Sequence, residues 1–239
     1  ACLCIDEPTY NPSFHLYSHI LPNRYFTVGA VDYGGAGFKW FREILEDPTY
    51  EELDQLAKQC EYDTRRPLIF LPYMVGQRAP LWNSNTRGVL FGLSPAVKRD
   101  VLARTFMEGN AMGVNRILAM FEDLGHKVSS FKFTGGAAES SVYSQIFSDV
   151  TGCRMGLYGE KDVASLGIAI AGAIAIQLYA SIDELVEKME PKKLVEPCGV
   201  KADYYHDLQR LFNSLFEKLS PEFDMLADIK RQYSPRHQE

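Results

Sequence analysis

Apolar and polar residues along the chain switch repeatedly between a period of two, which marks strands, and a period near 3.6, which marks helices. The opening residues Ala1-Cys2-Leu3-Cys4-Ile5-Asp6 alternate like a strand in mid-course, as if a longer chain had been cut there. Pro67 to Tyr73 is a nearly continuous apolar run bounded by proline, which predicts a buried strand, and a polar loop from Gly76 to Arg87 comes next. Ser94-Pro95 reads as an N-cap with proline at the first helical position. The helix it would open carries Leu102, Phe106, Gly109, Gly113, Ile117, Met120 and Leu124 on one face, with Gly125 as its stop. Two glycines on a buried face each cost about 1 kcal/mol relative to alanine, so something is expected to pack against the backbone there.

Val128 to Phe133 alternates as a strand, runs into Thr134-Gly135-Gly136, and leads to a helix from Ser140 or Ser141 to Val150, closed by Gly152. Capping boxes are predicted at Thr49-x-x-Glu52 and Ser181-x-x-Glu184. Val163 to Ala180 has the length of a membrane span, but its Ala, Gly and Ile content, with Ser165 and Gln177 inside, reads better as a buried helix packed through small residues. Tyr204, Leu208, Leu211, Leu215 and Leu219 mark a long amphipathic helix that Pro221 is expected to end. Strands and helices in this mixture predict an α/β or α+β layered domain. No repeat or low-complexity linker divides it, so one domain is expected.

Composition narrows the picture. At 239 residues and 46% hydrophobic content the chain can bury a real core. A formal charge of −6, from acidic and basic residues scattered throughout, gives no footprint for nucleic acid or an anionic membrane, and neither partner is expected. Five cysteines without CxxC pairs read as free thiols of a reducing, cytoplasmic environment. No basic stretch leading into an apolar one opens the chain, so no secretory leader is expected. His15, His19, His126, His206 and His237 have no metal or triad spacing, and there is no GxxxxGK[ST] loop, no protein-kinase HRD or DFG, and no GxSxG elbow.

Two places remain where chemistry can sit. Gly135-Gly136 lies where a strand delivers the chain to a helix N-terminus, whose free amides and dipole suit a phosphate or another polar ligand group; a plain tight turn is the competing reading. Gly34-Gly35-Ala36-Gly37 lies ahead of the helical run Phe38 to Leu45, and its amides with Lys39 could hold phosphate, or Lys39 could simply face water. The loop Gly76 to Asn83 gathers Arg78, Trp82 and side-chain amides, either as a cleft wall or as an ordered surface loop.

Four stretches, in order, resemble the FGGY carbohydrate kinases, most closely their xylulokinase-like branch. The first is Phe70 to Leu93, similar to the family's buried strand, G-E-R-x-P-x-W-D-P loop and G-V-x-F-G-L turn; the second is Leu102-Ala103-Arg104 with Glu108-Gly109. The third is Gly135-Gly136-Ala137-Ala138-Glu139-Ser140 with Gln145 and Asp149 to Gly152, similar to the adenosine loop G-G-G-A-x-S and the family's W-x-Q and A-D-V-x-G stretches; the fourth is Ala164 to Ala173. Gly35 to Trp40 and Tyr204 to Leu226 extend the likeness over nearly the whole chain. Ala137 stands for the usual third glycine, Tyr143 for Trp, Gln77 for Glu and Asn83-Ser84 for Asp-Pro, while Val101 and Thr105 depart from the second signature.

The resemblance implies one half of an actin-like, ribonuclease H-like ATPase, with a mixed sheet flanked by helices: residues 1–239 as the C-terminal, nucleotide-binding domain. It implies ATP with Mg²⁺ in a cleft against an N-terminal substrate domain outside this chain, the catalytic base included. It places Gly136 and Ser140 at adenine and ribose, with Gly135 and Ala137 in the same cofactor-binding loop, and Gly35 and Lys39 toward the phosphates. The activity implied for the parent is transfer of the γ-phosphoryl group to a hydroxyl of a ketose such as xylulose, or of a polyol, with this half inert alone. The chain would begin just after the family's Gly-Thr-Ser phosphate turn. By the same analogy family members are often dimers or tetramers, so a homodimer is one option that the apolar content does not decide, and a non-catalytic actin-like sensor module is the competing reading.

Overall fold

The computed structural model describes residues 1–60, 63–160, 162–179, 181–186 and 189–234. Strands β1 (Cys2–Ile5), β2 (His15–Ser18) and β3 (Tyr25–Val28) form an antiparallel sheet in the order β1-β3-β2. β4 (Ile69–Leu71) pairs antiparallel with β5 (Val89–Phe91). β6 (Ser130–Phe133) runs parallel to β7 (Arg154–Leu157), which pairs antiparallel with β8 (Lys193–Val195). The α/β class stands, but the strands fall into three small sheets, and the β6-β7-β8 sheet is the mixed one.

Helix α3 (Arg99–Asp123) is the hub. On one flank it meets α2 (Tyr50–Gln59) and α4 (Ser141–Thr151); on another, β4 lies against it with all three residues buried. Phe14 and the far end of α3, through Ile117 and Phe121, form a second cluster beneath the first sheet. The two glycines have the packing role expected of them. A Cβ at Gly109 would collide with the Phe70 carbonyl, and one at Gly113 would sit 2.9 Å from Val31 Cγ2. Gly125, at φ 88°, follows the end of α3 as expected.

Buried side by side on α3, Arg104 and Glu108 pair at 2.8 Å, and Tyr205 of α7 (Ala202–Tyr233) both accepts from Arg104 at 2.8 Å and donates to Glu108 at 2.9 Å. Burial opposes the Arg104 charge, but Glu108 and Tyr205 outweigh it and raise its pKa above the ordinary guanidinium value. Burial likewise lifts the Tyr205 phenol far above the usual range. The space beside this cluster is about 20 Å³, room for about one water.

Three local expectations are corrected. Ser94-Pro95 opens a turn, closed by Val97 N–H on the Ser94 carbonyl at 3.0 Å, and the helix begins only after Lys98. The Ala96 carbonyl, which a continuous helix would have used, is held at 3.3 Å by Arg66, whose other nitrogens take Asp63 and Asp100. Pro221 lies inside α7 and does not end it. One helical bond is lost there, but Phe216 and Phe223 are buried on either side, and Asn83 and Asn85 bond Ser220 and Asp224 across it. Finally, α5 (Val163–Ala175) contains no buried residue, and Ile168 is 75% exposed. An apolar helix is buried only if another element offers it a face, and here its chief neighbour is the short α6 (Ile182–Val186). Ala180 lies outside the described residues.

Candidate functional site

The double glycine does what a strand-to-helix corner requires. Gly135 has φ 83°, in the region that favours glycine, and turns the chain out of β6 into a single 3-10 turn, Gly136–Glu139. Ser140 then caps α4, its hydroxyl accepting the Tyr143 amide at 2.9 Å, and Gly152 closes the helix in the left-handed conformation. No atom lies within 4 Å of where a Cβ would stand at Gly135 or Gly136, so the main chain there is open to an approaching group. Beside it is a cleft of about 240 Å³ lined by Gly135, Ala138, Tyr158, Gly159 and Lys193 among others. Ala137 is half-buried and packs toward the core.

The second glycine run is the first turn of α1 (Gly34–Ile44) itself. Tyr33 caps it without a side-chain bond, and the earliest amide to find a helical carbonyl is that of Gly37, on Tyr33 at 2.6 Å. The amides of Gly34, Gly35 and Ala36 therefore have no acceptor within the helix. Gly35 is exposed with open space around it, Lys39 is exposed one turn on, and Gly37 is buried against the Tyr33 ring.

Tertiary packing links the helices that follow these two turns through Phe38. Its ring stacks on Tyr143 of α4 at 5.6 Å and on Tyr50 of α2 at 5.6 Å, and tilts against Phe106 of α3 at 5.3 Å. Gly35 and Lys39 thus stand on the helix whose Phe38 touches α4, three residues past Ser140. Burial lifts the Tyr143 phenol far above its ordinary pKa, so it serves as a neutral packing surface. Asp54, on α2, joins the corner by accepting from the Ser140 hydroxyl at 2.7 Å.

The loop Gly76 to Asn83 is a strut and not a wall of this cleft. Arg78 pairs with Asp32 through both its guanidinium and its backbone amide, and buried Gln77 donates to the Ala30 carbonyl, so the loop clamps the segment that leads into α1. Asn83 ties its far end to Ser220 at 3.3 Å. Among the described residues no group of three His, Cys, Asp or Glu side chains is placed to hold a metal ion, and no helix is long and apolar enough to cross a membrane.

Sequence reasoning missed Asp54, Phe38 and Tyr143 as parts of the site. A signal existed for Asp54: the Thr49–Glu52 capping box fixes the helix phase, which turns Leu53 and Ala57 inward and leaves Asp54 at the edge of the buried stripe. For the Phe38 stack there was none, since its partners come from three other helices.

The fold is shared with solved sugar kinases: a ligand-bound xylulose kinase from Lactobacillus acidophilus superposes with a TM-score of 0.85 over 94% of this chain and 46% of its own, at 24% identity. The chain belongs to the FGGY family of carbohydrate kinases, whose C-terminal domain model matches residues 1–176. A gluconokinase of Bacillus subtilis is 28% identical over 95% of this chain and 47% of its own length. A xylulose kinase of Staphylococcus epidermidis is 24% identical over 88% and 42%, and a glycerol kinase of Pseudomonas savastanoi 30% identical over 74% and 36%. The chain therefore spans less than half the length of these curated relatives.

Proposed function

We propose that this chain is the C-terminal, nucleotide-binding half of an ATP-dependent sugar kinase, and that the parent moves the γ-phosphoryl group of ATP to a hydroxyl of an open-chain substrate. The observation that carries this reading is the Phe38–Tyr143 stack, which packs α1, whose first turn has free amides and Lys39, against α4, which the Gly135–Ser140 turn opens. Free amides at a helix start, with a lysine one turn on, suit phosphate oxygens. An exposed glycine main chain with an open cleft beside it suits a flat base. Phosphoryl transfer is mainly positioning and charge stabilisation, so a half that only holds the nucleotide must work against another domain that supplies substrate and base. This assigns Gly35 and Lys39 to the phosphates and Gly135, Gly136, Ala137 and Ser140 to the nucleoside.

Relatives named for gluconate, xylulose and glycerol share a chemistry: each of those compounds is an open-chain polyhydroxyl carrying a primary hydroxyl. We take that class as the substrate, with a ketose such as xylulose as its first member to test. Mg²⁺ does not find a cage among the described side chains, so the ion would arrive on the nucleotide's phosphates and be completed by residues outside this chain. The test is calorimetric titration of the chain with ADP and with xylulose, gluconate and glycerol. Binding of ADP and of none of the three sugars is expected. Binding of a sugar with no binding of ADP would overturn the assignment of this half.

A further inference from the structure

The corner between the 3-10 turn and α4 is built differently from the first turn of α1. A serine hydroxyl has one hydrogen and two lone pairs. In Ser140 the hydrogen goes to Asp54 Oδ1 at 2.7 Å, and one lone pair takes the Tyr143 amide at 2.9 Å. Ser140 therefore has a single lone pair left for a ligand and nothing to donate. Asp54 is half-buried, and burial pushes its carboxyl above the usual range although the Ser140 bond pulls the other way. Among the described residues no donor other than Ser140 reaches this carboxylate, so Oδ2 is unfilled. Their two side chains together present acceptors only.

A negatively charged pair of acceptor side chains takes hydroxyl or amino hydrogens and repels phosphate. The first turn of α1 offers amides and a lysine and does the reverse. We propose that Asp54 is the ribose-reading residue of this site: its carboxylate accepts hydrogen bonds from the vicinal hydroxyls of the nucleotide's ribose, with Ser140 holding the carboxylate in position. This rests on the nucleotide-binding reading and adds to it a polarity. The nucleoside is drawn to the α2–α4 side, and the phosphates are turned toward Gly35 and Lys39.

The experiment compares ADP with 2′,3′-dideoxy-ADP by calorimetry on the chain, on Asp54→Ala and on Asp54→Asn, with thermal melts to confirm folding. The unsubstituted chain should prefer ADP by about tenfold or more, the worth of a hydrogen bond to a charged acceptor. Asp54→Ala should bring ADP down to the dideoxy level and leave dideoxy-ADP where it was. Asp54→Asn keeps the shape of the side chain and should lose most of the preference, which carries the test should the alanine variant not fold. Equal weakening of both nucleotides, with the preference intact, would mean that Asp54 only props α4 and would overturn the proposal. So would equal binding of both nucleotides by the unsubstituted chain. Failure of the unsubstituted chain to bind either nucleotide would instead sink the nucleotide-binding reading, and this proposal with it.

Discussion

Two glycines that look alike in the sequence are required for different reasons. Gly109 is required by space, because a methyl group there meets the Phe70 backbone, which cannot swing aside as a side chain could. Gly135 has open space around it and is required by its φ of 83°. Forcing a methyl group into a packed helix contact costs about 1–3 kcal/mol or more, whereas a left-handed backbone costs a non-glycine residue about 1–2 kcal/mol. Gly109→Ala should therefore be the more damaging in a urea melt, and Gly135→Ala the milder of the two. A Gly109→Ala variant as stable as the parent chain would show that the α3–β4 contact is looser than described. The need for close approach at Gly109 was legible from its place on an apolar helical face; the identity of Phe70 as the neighbour was not, because nothing local links positions so far apart.

At the scale of elements, local chemistry was readable wherever a start or stop signal and its partner lay within a few residues of each other. The Thr49–Glu52 box forms as expected, with the Glu52 carboxylate on the Thr49 amide at 2.7 Å, and Ser140 and Gly152 bracket α4 in the same way. Signals failed where a distant side chain took over. Arg66 claims the Ala96 carbonyl and delays α3, and packing on both sides of Pro221 carries α7 through it. Helix α5 is the converse, an apolar pattern that predicts burial but finds no covering face among the described residues. Its exposure gives a clean expectation: Ile168→Asp, at a position 75% exposed, should change the stability of this chain by less than about 0.5 kcal/mol. A loss of several kcal/mol in a thermal or urea melt would mean that α5 is packed in solution.

At the scale of the whole molecule, the Arg104–Glu108–Tyr205 cluster ties the hub helix to α7 and, through the Ala57 carbonyl, to α2. Removing one partner of a buried ion pair leaves an uncompensated charge and costs about 3–5 kcal/mol. Glu108→Ala should show a loss of that order by denaturant titration, because the Arg104 and Glu108 side chains are only 8% and 9% exposed. A loss below about 1 kcal/mol would show that water reaches the cluster.

The order of the motifs, the strand–glycine–helix corner and the small-residue face of α3 could all be written down from the chain alone, because turn chemistry and helix phase depend on neighbours in sequence. That Phe38 would link the helices that follow the two turns, that Asp54 would complete the second of the turns, and that Arg66 would reset a helix start could not. Those outcomes depend on which side chains meet across the core, and only the assembled packing decides that.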